Sequence, residues 1–134
     1  MSVRVNQRKQ NTLGVLSSAK ELTAHTVKIC SNEKHIPKRY RWTLAQPIIQ
    51  EALAVQICIA RANKEPLDDT FYGRRREFQV DAAGHLAALS SLADTAYNLF
   101  HFESMEYWES LIDAVDIQLA AWAKSDKERM KKGQ

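Results

Sequence analysis

Between residues 77 and 123 the chain has no lysine and no arginine. That stretch of 47 residues carries eight carboxylates, so it cannot hold a phosphate backbone by charge. The other 87 residues hold all 19 Lys and Arg against eight acids. The net charge of +3 therefore hides one segment near −8 and a remainder near +11. Breakers are few as well. Four Gly, three Pro and few β-branched runs favour helix over sheet. The two cysteines, Cys30 and Cys58, cannot build a disulfide framework and lack zinc-site spacing; among apolar neighbours they read as small buried hydrophobes in a reducing compartment. No apolar run approaches the roughly 20 residues that span a bilayer. Residues 1–9 contain no apolar core of a signal peptide. The expectation is one cytoplasmic domain of 134 residues, long enough to bury a core of its own and with no membrane contact.

Hydrophobic periodicity divides the chain into four helices. The first is expected from about Asn11 to Ser31, with Leu13, Leu16, Ala19, Leu22, Val27 and Cys30 on one stripe and Asn11 or Thr12 as the cap. Residues 1–10 then form an N-terminal extension. Pro37 suits the first turn of a second helix reaching about Asn63. Its apolar residues fall on two overlapping stripes. One holds Tyr40, Leu44, Ile48, Val55 and Ile59, and the other Trp42, Ala45, Ile49, Leu53 and Ile57. A helix apolar over so much of its circumference is expected to be covered on more than one side. Pro47 should bend its axis. After a break at Lys64–Thr70, a third helix is expected from Phe71 to His101, with Phe78, Ala82, Leu86, Leu89, Leu92, Ala93, Ala96 and Leu99 as its stripe. Ser104 caps a fourth helix in which Trp108, Val115 and Trp122 recur every seven residues, with Leu111, Ile112 and Leu119 between them. The bundle is expected over residues 11–125, followed by a frayed basic tail over 126–134.

Short connections make consecutive helices antiparallel neighbours, so the expected fold is an all-α, up-down-up-down four-helix bundle. That topology gathers Arg4, Arg8, Lys9, Arg61, Lys64, Arg74, Arg75, Arg76, Lys124, Lys127, Arg129, Lys131 and Lys132 at one end. The other end sets Lys34, Lys38, Arg39 and Arg41 against Glu103, Glu106 and Glu109. Helix dipoles account for Arg61, Lys64 and Lys124 as solvated C-terminal cations, but not for Arg74–Arg76 in the first turn of a helix. Arginine at that triplet suits bidentate phosphate contact. Such a surface binds by charge, without reading sequence.

Signatures for chemistry are missing. Four histidines are present, yet the paired Glu-x-x-His of a di-iron bundle is not. His85 reads as a hydrogen-bonded core residue, and Glu106, Glu109, Asp113 and Asp116 as a solvated or subunit-facing stripe. There is no Gly-rich phosphate loop and no nucleophile elbow. No cofactor is implied. Trp108 and Trp122 read as core or interface anchors.

Ile36-Pro37-Lys38-Arg39-Tyr40, opening the second helix after a polar turn, and a last helix closing on Ala121-Trp122 before a basic tail, resemble a family of small four-helix-bundle proteins. That family includes proteins encoded in ribosomal-RNA intervening sequences and, more closely similar, the accessory variability determinants (Avd) of diversity-generating retroelements. The resemblance covers roughly residues 15–132. It implies a homopentameric barrel of bundles that binds nucleic acid and associates with the element's reverse transcriptase, whose template RNA directs mutagenic cDNA synthesis. It carries basic positions to Lys38 and Arg39, and loosely to Lys124, Arg129, Lys131 and Lys132. Pro47 and Arg74–Arg76 match no feature of the family. The expected nucleic-acid contacts are thus Lys38, Arg39, Arg41, Arg74, Arg75, Arg76, Lys124, Arg129, Lys131 and Lys132. The alternative is a protein-interaction bundle without nucleic-acid function, and a third class is a metal-dependent bundle enzyme.

Overall fold

A computed structural model describes the backbone of residues 2–133 and the side chains of residues 14–133. Among them the protein is all-helical, with four α-helices and no strand: α1 (Ser2–Ser31), α2 (Gln46–Lys64), α3 (Tyr72–Phe100) and α4 (Met105–Lys132). Helix α1 packs on α2 and α4, and α3 packs on α2 and α4, which closes the four into a bundle. The expected separation of residues 1–10 from the first helix does not hold, because α1 already begins at Ser2. The side chains of Arg4, Arg8 and Lys9 lie outside the described residues.

The core follows the heptad of the last helix. Trp108, Val115 and Trp122 are fully buried, as are Leu22, Ile48, Ile59 and Leu89 from the other three helices. Each buried indole removes on the order of 150–250 Å² from water, worth roughly 4–6 kcal/mol before entropy is counted. The Trp108 Nε1–H donates to Thr26 Oγ1 at 3.0 Å, and the Thr26 hydroxyl donates to the Leu22 carbonyl at 2.7 Å. Thr23 Oγ1 donates to the Ala19 and Ala52 carbonyls at 2.9 and 3.3 Å, pinning α1 to α2. These buried polar groups are therefore satisfied, which removes their desolvation cost.

The segment expected as one helix from Pro37 is three pieces. A 3₁₀ turn (Lys38–Tyr40) runs into a π turn (Arg41–Ala45), and α2 follows with Pro47 in its first turn. Proline lacks the N–H that a continuous α-helix would need here, and the wider i→i−5 bond from Gln46 N–H to the Arg41 carbonyl replaces it. A π turn absorbs one extra residue, so helical phase counted across it is off by about 100°. The second apolar stripe is nevertheless left largely uncovered. Ala45 is buried, whereas Trp42, Leu53 and Ile57 are 77, 41 and 46% exposed. The same stripe makes Lys38–Lys64 long and apolar enough to cross a membrane by length and composition, contrary to expectation; here its other face is packed into the bundle.

Asp68 organises the next start. Its side chain accepts from the Thr70 and Phe71 N–H groups, and its carbonyl from Tyr72 N–H. At the last reversal both His101 and Ser104 are left-handed, with φ of 49° and 77°. Ser104 precedes α4 but makes no side-chain cap bond, which corrects the expected cap.

Candidate nucleic-acid interface

The end of α4 is not a frayed tail. Asp126 is fully buried, and its carboxylate accepts four hydrogen bonds. Arg75 grips it bidentately, Nε to Oδ2 at 2.7 Å and Nη2 to Oδ1 at 3.0 Å. Gln79 Nε2 donates to Oδ2 at 2.8 Å and Arg129 Nη2 to Oδ1 at 2.6 Å. Arg75 also donates from Nη1 to the Glu65 carbonyl at 3.1 Å, and its guanidinium lies 5.1 Å from the Trp122 ring centre. One carboxylate thus ties the start of α3, the end of α2 and the last turns of α4 together, and it extends ordered helix to Lys132.

This corrects two expected phosphate contacts. The Arg75 side chain is only 8% exposed with both faces of its fork occupied, and Arg129 is part-buried on the same carboxylate. Their charge is spent on Asp126. Arg74 remains 66% exposed but leans on Glu65 at 3.3 Å. Arg76, Lys124, Lys131 and Lys132 are exposed and form no ion pair among the described residues. Arg76 from α3 and Lys124 and Lys127 from α4 border one hollow of about 420 Å³, with Asp116 also on its wall. Gln79 also lines it, and the Gln79 Oε1 is buried without a hydrogen-bond partner. Since Gln79 Nε2 must face the Asp126 carboxylate, the amide orientation is fixed.

A second group stands on the approach to α2. Lys38, Arg39 and Arg41 are exposed. None of the three is in an ion pair among the described residues. Arg39 lies 5.1 Å from the Tyr40 ring centre. Lys38 and Arg41 border a hollow of about 310 Å³ together with Trp42, Glu33, Gln46 and Cys30. Of the ten expected residues, Lys38 and Arg41 border one hollow and Arg76 and Lys124 another, while Arg75 and Arg129 are engaged on the buried Asp126.

Trp42, Lys127 and Asp126 were missed by sequence reasoning as site residues. For Trp42 the available signal was its place between Arg41 and Pro47, a segment whose phase proline disturbs. His85 is not a core residue. It is 40% exposed by side chain, and its Nδ1 meets Glu51 Oε2 at 2.6 Å across α2 and α3. Glu106, Glu109, Asp113 and Asp116 are exposed, as read.

Three titratable groups are shifted by burial. Burial pushes the Cys30 thiol up to about 12, and burial followed by nearby Asp81 also raises Cys58, so neither is a thiolate at neutral pH. Burial, then Lys28 and His35, hold His25 below the ordinary imidazole value. Its ring packs edge-on against Tyr107 at 4.8 Å. No cluster of three or more His, Cys, Asp or Glu able to hold a metal occurs among the described residues. No family model matches the chain, and neither a curated protein nor a solved structure matches it.

Proposed function

We propose that this chain is a non-enzymatic, nucleic-acid-binding accessory scaffold that associates with a retroelement reverse transcriptase and its template RNA in the cytoplasm and supports mutagenic cDNA synthesis. The observation that carries nucleic-acid binding is the hollow bordered by Arg76, Lys124 and Lys127. Cations from chain segments some fifty residues apart converge there, while Arg75 and Arg129 are consumed in holding the helices that present them. Unpaired cations at that density attract phosphate. The reverse-transcriptase role rests on the resemblance of Ile36–Tyr40 and Ala121-Trp122 to Avd-type proteins.

In this reading the helices alternate in direction, up-down-up-down. Support comes from Arg75, near the start of α3, bonding both Glu65 just past α2 and Asp126 near the end of α4. The reading also includes a homo-oligomer, a pentamer by the resemblance. Exposed Leu53 and Ile57, four residues apart on α2, offer the apolar surface that a second copy would cover. That same surface favours the alternative, a protein-interaction bundle without nucleic-acid function.

Charge reversal at Arg76, Lys124 and Lys127 separates the two. The triple Glu variant should keep its helicity and lower the slope of log affinity against log salt for RNA by about 2–3, since each lost phosphate contact removes about 0.7–0.9. An unchanged slope in a filter-binding series would overturn the assignment of this hollow.

A further inference from the structure

Trp42 is the one tryptophan that the bundle leaves outside. Trp108 and Trp122 are 0 and 1% exposed, whereas Trp42 is 77% exposed. An indole is costly to leave in water, and this one is held there by its backbone. It sits in the π turn between Tyr40, packed on Phe100 at 5.0 Å, and the buried Leu44 and Ala45. Single π turns are frequent at functional positions. Beside the ring lies the hollow of about 310 Å³, whose rim carries Lys38 and Arg41 and whose walls include Glu33, Gln46 and Ile49. That volume falls within the range of small-ligand sites.

We propose that this hollow is a stacking site for an unpaired nucleotide, so that the protein prefers single-stranded over duplex nucleic acid. The inference rests on the nucleic-acid reading above and names the kind of strand it engages. A free aromatic face stacks on any base, and a base is free to stack only when unpaired. Lys38 and Arg41 then take the flanking phosphates, while Gln46 and Glu33 stand where amide and carboxylate can meet base edges. Charge decides against a second copy of this chain as the occupant. Lys38, Arg39 and Arg41 have no ion-pair partner, which a phosphate backbone supplies and an identical cationic patch does not.

The test is titration of the full chain with a 20-nucleotide oligo-dT, a 20-nucleotide oligo-U and a 20-bp mixed-sequence duplex. Because the other two indoles are buried, quenching of intrinsic fluorescence reports on Trp42. Both single strands should quench it. Trp42→Ala should weaken single-strand binding about tenfold or more and leave duplex binding within about twofold, with Trp42→Phe keeping most of the affinity. Size-exclusion elution should be the same for all three proteins. Equal single-strand affinity in Trp42→Ala, a parallel loss of single-strand and duplex binding, or a changed oligomer size would overturn the stacking site. Failure of the unaltered protein to bind any of the three probes would instead overturn the nucleic-acid reading itself.

Discussion

Asp126 shows how little a residue's chain neighbours say about its role. It lies in a run rich in Lys that has every appearance of a solvated tail, yet its carboxylate accepts four hydrogen bonds. Its main partner is 51 positions away, and no local pattern points there. A buried carboxylate is tolerated because two guanidinium groups and an amide replace its water. Removing it strands Arg75 and Arg129. Asp126→Ala should cost about 3–5 kcal/mol in urea denaturation, whereas Asp126→Leu with Arg75→Met should recover much of that loss, because an apolar pair leaves no buried charge. A loss below about 1 kcal/mol for Asp126→Ala would show that the cluster is solvated.

At the scale of helices, the periodic signal located all four but not all their ends: α1 begins at Ser2, α4 runs to Lys132, and the second segment is broken by a π turn. The seven-residue repeat of Trp108, Val115 and Trp122 was legible because a single face of one unbroken helix meets the core. The phase of the second segment was not, since the π turn before Pro47 inserts a residue that periodicity does not count. Trp42 was assigned to a covered face together with Leu53 and Ile57, and all three face outward because within one chain the bundle covers only the Ile48, Val55 and Ile59 face. The αα connection after α3 carries its own strain. His101 closes the helix at φ 49°, a region that side chains with a Cβ enter at a cost. Its N–H still reaches the Tyr97 carbonyl at 2.7 Å, the usual left-handed termination. His101→Gly should therefore raise stability by up to about 1 kcal/mol, the gain being trimmed by glycine's unfolded-state entropy and by the lost edge contact with Tyr97. A lowered denaturation midpoint would contradict this account.

Over the whole molecule, α2 and its approach carry two uncovered patches, one aliphatic and one in which Trp42 stands among unpaired cations. Leu53 and Ile57 stand outward near its middle, and Lys38, Arg39 and Arg41 near its beginning. If Leu53 and Ile57 close a subunit contact, Leu53→Glu with Ile57→Glu should reduce the particle to a monomer by light scattering while the helical signal persists. An unchanged mass would place subunit contact, if any, elsewhere. The charge-sorted chain itself determined a good deal: helix content, the core seam of α4 and the confinement of every Lys and Arg to residues outside 77–123 follow from composition and period alone. Only the tertiary structure decided which cations are free. Arg74, Arg75 and Arg76 are consecutive and chemically identical, yet one leans on Glu65, one is locked on Asp126 and one faces the α3–α4 hollow. Successive side chains on a helix diverge by about 100°, and what each one meets is set by the helices packed alongside.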